Sequence, residues 1–154
     1  MSDLSSSSES PVLVIGNAGI DVIGRFQNQS QSGSSNPGHI RTSFGGVARN
    51  VAENLVRLDQ PVTLLSVVGC DSAGDDLLDQ LNNVGVDVSA VLQTDDYSTT
   101  TYLGIVNSKG ELQLGIDDMR AISLLTPDYL RKNFDLFKRA SLLFFDANLE
   151  KDTI

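Results

Sequence analysis

The sequence predicts an α/β protein built around a parallel sheet, and three observations carry that prediction. Short apolar runs without polar alternation stop at a glycine or a polar turn: Val12–Ile15 before Gly16, 62–68 before Gly69, and Leu142–Phe145 before Asp146. Such runs suit strands covered on both faces, the usual state of a parallel sheet. Segments of helical period follow the first two runs. The region 99–116 behaves differently, alternating polar and apolar residues on either side of Asn107-Ser108-Lys109-Gly110, the pattern of a hairpin with one wet face.

Taken in chain order, residues 1–10 read as a solvated, disordered tail, with no basic segment followed by an apolar one as a secretory signal needs. Residues 27–38 (QNQSQSGSSNPG) carry no apolar side chain except Pro37 and are expected to form an exposed loop. From 47 to 58, Val47, Val51, Leu55 and Leu58 recur at helical spacing behind Gly45-Gly46, which predicts an amphipathic helix opened by a glycine pair. Ser72 is the expected N-cap of the next helix, with Leu77, Leu78, Leu81 and Val84 facing inward and Gly85 as its left-handed end. Thr126-Pro127-Asp128 combines a hydroxyl cap, a proline at the first helical position and an acid in the first turn, with Leu130, Phe134 and Phe137 as the buried face behind it. Leu142–Phe145 is expected as a further buried strand, and 149–154 as the first turn of another helix.

Composition removes several function classes. Hydrophobic residues at 40% and charged residues at 20% fit a globular chain, and no apolar run approaches the roughly 20 residues of a spanning helix. A net charge of −9 with scattered Lys and Arg argues against nucleic acid as a partner, and a membrane is not expected either. One cysteine, Cys70, and one histidine, His39, leave too few soft ligands for a zinc site, so cytoplasmic chemistry without a transition metal is the expectation. Neither G-x-G-x-x-G nor G-x-x-x-x-G-K-[ST] occurs, and no G-x-S-x-G elbow is present.

What remains is Gly45-Gly46-Val47-Ala48-Arg49-Asn50. Glycines before a helix let a ligand approach the backbone, the helix start offers unpaired N–H groups, and the Asn50 amide can donate to or accept from a hydroxyl. On these residues alone a plain glycine turn remains open. The wider order of features resembles the PfkB (ribokinase-like) carbohydrate kinases, and within them the pseudouridine-kinase branch. It is carried by Ser35-Asn36-Pro37-Gly38, the block 45–58, Asp71 with Gly74, Tyr102, Gly110-Glu111, Asp117-Asp118-Met119 and Asp146-Ala147-Asn148, and covers 11–154.

That resemblance implies a Rossmann-like ribokinase fold, here only its N-terminal half, with a small β-sheet lid formed around 22–44 and 97–118. It implies a kinase in which ATP with Mg2+ phosphorylates a ribosyl hydroxyl of a small-molecule nucleoside or sugar. Asp21 matches the acid that holds sugar hydroxyls; Gly45, Gly46 and Asn50 match the residues that complete the pocket. Thr101 in the lid hairpin, with Thr99 and Thr100 before it, Asp118 beside a base, and Asn148 at a strand end are further substrate-side candidates. Each keeps an ordinary alternative: Asp21 a turn acid, Thr101 a strand former, Asp118 a loop-end acid, Asn148 a helix cap. No catalytic residue and no bound cofactor are expected within this chain, which is expected to be inactive alone and to dimerise through the lid or an exposed sheet edge. Two positions depart from the family pattern, Gly19 where an asparagine is usual, with Asn17 as the possible substitute, and Asp59 in place of Gly or Ser. A non-enzymatic binding module, or another sugar kinase of the same family, remains the alternative reading.

Overall fold

The computed structural model describes residues 10–154, so the tail expected over 1–10 lies, apart from Ser10, outside the described residues. The chain runs through β1 (Val12–Ile15), β2 (Gly19–Phe26), β3 (Gly38–Gly45), α1 (Val47–Arg57), β4 (Val62–Gly69), α2 (Ser72–Val84), β5 (Asp87–Thr94), β6 (Thr101–Val106) and β7 (Leu112–Asp118). A 3-10 turn at Arg120–Leu124, α3 (Pro127–Lys132), α4 (Phe134–Arg139), β8 (Leu142–Phe145) and a second 3-10 turn at Lys151–Thr153 complete it. Two sheets result. The first has the order β5-β4-β1-β8 and is parallel throughout; the second has the order β3-β2-β6-β7.

The uninterrupted apolar runs become the middle of the first sheet. β1 and β4 are buried along their whole length, and successive side chains feed opposite faces. Val14 and Leu64 meet Ala48, Ala52, Leu77 and Leu81 of α1 and α2 on one side. Leu13, Ile15, Leu65 and Val67 meet Ile122, Leu125 and Leu130 on the other. Each such aliphatic side chain removed from water contributes about 2 kcal/mol before entropy is subtracted.

Several expectations shift by a residue or two. The inward face of α1 is Ala48 and Ala52 flanked by Val51 and Leu55, while Val47 and Leu58 are exposed. Small alanines let the helix axis lie close to the sheet, so the larger residues sit at the margins. The cap of α2 is Asp71 rather than Ser72: its extended backbone turns the carboxylate to accept the Gly74 N–H at 2.8 Å. Burial alone would raise the Asp71 carboxyl, but the N–H and hydroxyl of Thr99 and the Gly74 N–H outweigh it, leaving its pKa below the usual carboxylate value. Gly85 ends α2 at φ 99°, as expected.

The helix expected behind Thr126 is broken at Asn133 into α3 and α4. Thr126 caps α3 through Tyr129 N–H, but Phe134 is 56% exposed and stacks on Phe137 instead of entering the core. β8 pairs in parallel with β1 but forms the outer edge of its sheet, and Leu142 is 60% exposed, so it is not the fully buried strand expected. Residues 149–154 carry only the short 3-10 turn. No helix among the described residues is long and apolar enough to cross a membrane.

The second sheet is built from 19–45 and 101–118 and carries more strand order than the sequence suggested. β2 and β3 pair antiparallel over eight residues around the exposed loop 27–37, β2 lies parallel to β6, and β6 and β7 form the expected hairpin. His39, the second residue of β3, pairs with Arg25 of β2.

Candidate functional site

β1 ends at Ile15, and the link Gly16–Ala18 carries the chain from the first sheet into β2 of the second. The start of α1, the loop after β8 and the base of β6 converge on this crossing. Between them lies a cavity of about 270 Å3, lined by Asn17, Gly19, Asp21, Gly46, Asn50, Thr100, Tyr102, Met119 and Asn148, with Ile20 and Val47.

The link itself is pinned. Ser66 donates to the Gly16 carbonyl at 2.6 Å, Asn17 N–H donates to Asp146, and Arg49 N–H donates to the Asn17 carbonyl. Thr100 Oγ1 reaches Asn17 Oδ1 at 2.7 Å and the Ala18 carbonyl at 3.0 Å. Asn17 therefore spends its side-chain oxygen on Thr100, and its nitrogen faces the Met119 sulfur at 3.5 Å. Its amide holds the wall together. Gly19 is where the family pattern has asparagine, and a Cβ there would run into Thr100 Oγ1, so the hydroxyl that secures the link excludes a side chain at 19.

Asp21 stands on β2 beside Tyr102 of β6 and opposite Ser43 of β3. Its carboxylate lies against Gly45, where a Cβ would come within 2.5 Å of Asp21 Cγ. Gly45 thus makes room for the acid without itself lining the cavity. Among the described residues no hydrogen-bond donor engages the Asp21 carboxylate, which leaves its acceptor sites open to the cavity. Gly46 begins α1 at φ 93°, and no side chain caps the helix. A Cβ at 46 would press on Asn17 and lie 2.8 Å from Ala18 Cα, so the backbone of this turn closes tightly on the pinned link.

Asn50 and Asn148 reach the cavity from different elements, Asn50 from the first turn of α1 and Asn148 from the loop after β8. Thr101 and Asp118 do not. They are cross-strand partners on β6 and β7, and because strand side chains alternate they stand on the face opposite that of Asp21 and Tyr102. Thr101 Oγ1 donates to the Thr99 carbonyl. Asp118 receives the Arg120 guanidinium in two bonds of 2.9 and 2.7 Å, which holds its carboxyl down at about 2. Their neighbours Thr100, Tyr102 and Met119 line the cavity instead. The tyrosine ring lies against Gly104 and Gly115. The signal that could have singled out Thr100 within Thr99–Thr101, and added Tyr102, is the register: with Asp21 inward, its partner Tyr102 on β6 must face the same way, and Thr100 stands two residues before it.

The lining decides what the cavity can hold. It offers one carboxylate, three amides and two hydroxyls, and no Lys or Arg. A triphosphate would meet the Asp21 charge with no cation to offset it, so these residues do not fit ATP. Nor do the described residues bring three His, Cys, Asp or Glu side chains together as a metal site requires. A neutral, polyhydroxylated ligand fits, since each hydroxyl can donate to a carboxylate and accept from an amide.

This geometry has counterparts of known kind. Over 143 residues, 93% of the chain, it is 36% identical to pseudouridine kinase of Escherichia coli K12, and it spans 46% of that kinase. A carbohydrate kinase from Agrobacterium tumefaciens superposes with a TM-score of 0.84 at 32% identity, covering 94% of this chain and 47% of the other. Ribokinase of Arabidopsis thaliana, solved with ribose and ATP, shares the fold with a TM-score of 0.82 at 18% identity, over 93% of this chain and 47% of its own. The chain spans about half the length of both solved structures. Residues 10–153, which hold both sheets and every residue of the cavity, match the pfkB family of carbohydrate kinases, and the chain belongs to that family.

Proposed function

We propose that the chain forms the acceptor-holding part of an ATP-dependent kinase that phosphorylates a ribosyl hydroxyl, with pseudouridine as the acceptor. The observation that carries this reading is Asp21, a carboxylate without a protein partner among the described residues, set in a neutral polar cavity. An ionised carboxylate accepts from two neighbouring hydroxyls at once, and such charge-assisted bonds are about twice as strong as neutral ones. Asn50 and Asn148 complete the hydrogen bonding around those hydroxyls. Tyr102, on the same face of the second sheet, offers a ring against which a base can lie. The 36% identity to a pseudouridine kinase supports the choice of acceptor. Phosphoryl transfer also needs charge arranged around the γ-phosphate and a base for the hydroxyl. The cavity supplies binding and orientation, so the chain alone is expected to hold the acceptor without turnover.

The experiment is a titration of the 15N-labelled chain with pseudouridine, uridine and ribose. Pseudouridine is expected to produce weak, saturable shifts at Asp21, Gly46 and Asn50. Shifts from ribose but not from the nucleosides would reassign the acceptor to a free sugar, and none from any of the three would remove the reading.

Self-association belongs to the same proposal. On the face of the second sheet opposite Asp21, Val22, Leu103 and Ile116 form one cross-strand row and Ile40, Gly24, Ile105 and Leu114 the next. Ile40 is 78% exposed and Leu114 56%. Val22 at the root of this face packs on the core, and the apolar patch left exposed beyond it, Ile40, Leu114 and Ile116, is of the kind that marks an association surface. The wild-type chain is expected to sediment as a dimer and a Leu114→Asp, Ile116→Asp variant as a monomer; a monomeric wild type at high concentration would rule the dimer out.

A further inference from the structure

Two side chains that do not line the cavity decide which way its amides face. The Arg49 side chain is only 11% exposed and its guanidinium is held on several sides. One terminal nitrogen donates to Glu53 and, at 2.9 Å, to Gln80 Oε1; the guanidinium lies over the Phe44 ring at 5.9 Å; Nε is buried without a partner. The other terminal nitrogen donates to Asn50 Oδ1 at 2.9 Å. A guanidinium has donors only. The Asn50 oxygen must therefore turn toward Arg49, which leaves the Asn50 NH2 group for the cavity.

Asp146 does the reverse to Asn148. It is 2% exposed, and its carboxylate accepts Asn17 N–H at 3.1 Å on one oxygen, and Asn148 N–H and Nδ2 at 3.0 Å each on the other. With three N–H groups aimed at it, the carboxylate acts as an acceptor on both oxygens. The Asn148 nitrogen is drawn to it, and the Asn148 carbonyl oxygen is left for the cavity.

We infer that Arg49 and Asp146 are positioning residues that give the cavity a fixed polarity, with a donor at Asn50 and an acceptor at Asn148. The use of that polarity rests on the acceptor reading given above. A hydroxyl has a single hydrogen, and one that donates to Asp21 needs a donor for its lone pair. Asn50 supplies it only with its nitrogen inward. Reversed, that hydroxyl would face two acceptors and leave one of them unpaired. The Asn148 oxygen then takes the hydrogen of a second hydroxyl or of a ring N–H. Gly45 and Asp21 alone would not tell a vicinal diol from any other donor; the oriented amides add that distinction.

The orientation is tested on the ligand-free chain and so stands apart from the identity of the acceptor. In side-chain amide NMR spectra, the Asn148 NH2 protons are expected to be protected from exchange and close to Asp146 Hβ. The Asn50 NH2 protons are expected to exchange freely, and at most the one beside the carbonyl oxygen to lie near the Arg49 guanidinium protons. Strong contacts from both NH2 protons to that group overturn the inference. With pseudouridine as probe, Arg49→Lys, still a donor only, is expected to bind within a few-fold of wild type. Arg49→Gln, which can face Asn50 with either end, is expected to bind about 10-fold more weakly than wild type when both are titrated well below the Tm of the variant, which is lowered by the loss of the buried Glu53 pair. Equal affinity of Arg49→Gln and wild type also overturns it. If the wild-type chain binds no nucleoside or sugar, the proposed function falls, while the amide spectra still decide the orientation.

Discussion

Gly46→Ala is expected to cost the chain on the order of 3 kcal/mol and to erase the ligand-induced shifts at Asp21 and Asn50 together. Two terms add at this position. An alanine held at φ 93° carries a backbone strain of about 1 to 3 kcal/mol. Its Cβ would also press on the backbone of Asn17 and Ala18, and relieving such overpacking costs about 1 to 3 kcal/mol more. The clash is with backbone, which cannot swing aside as a flexible side chain would. Relief must come from α1 backing away from the link, which withdraws Asn50 from the cavity and breaks the bond from Arg49 N–H to the Asn17 carbonyl. Against a total stability of about 5 to 15 kcal/mol, the shift in urea midpoint is easily read. A variant that unfolds within about 0.5 kcal/mol of wild type would show that the turn is slack and its glycine incidental.

Asp21→Asn should show the opposite division of effects. Because no protein donor is spent on this carboxylate, its loss is expected to change stability by less than about 0.5 kcal/mol. Ligand affinity is expected to fall about 10- to 100-fold, the range that corresponds to a charge-assisted bond of roughly 1.5 to 3 kcal/mol. Asparagine keeps the shape beside Gly45 and replaces one acceptor by a donor, so a steric explanation is excluded. Titration of the variant with pseudouridine checks this. Unchanged affinity would mean that the acid faces the cavity without touching the ligand. Together the two substitutions separate a residue that builds the pocket from one that meets its occupant.

Much of the fold was legible because burial on both faces writes itself into composition. Val12–Ile15 and 62–68 needed no partner to be recognised, and the caps at Thr126 and Gly85 act through their own neighbours. β2, β3 and β5 were not assigned as strands. GIDVIGRF and GHIRTSFG acquire their strand character from one another across a polar loop and from β6 some 80 residues away, and a window along the chain does not contain that information. The candidate site divides on the same line. Asp21, Gly46, Asn50 and Asn148 line the cavity, and Gly45 stands directly behind Asp21. Thr101 and Asp118 stand on the other face because alternation makes a one-residue error in register a complete reversal of side. Arg49 and Asp146 were invisible as positioning groups, since nothing in the order of residues says which end of an amide an arginine or a carboxylate will take.

The pinned link at 16–18 has a mechanical consequence. Ser66, Asp146, Arg49 and Thr100 each hold it, and Ile20 N–H is tied to the Thr100 carbonyl. The second sheet is thus a cantilever, clamped at its root on the first sheet and free toward the 27–37 loop and the Asn107–Gly110 turn. A clamped beam bends along its span and stays still at the clamp. Asp21 and Tyr102 sit in the first rows beyond that anchorage, so bending toward the far end displaces them least.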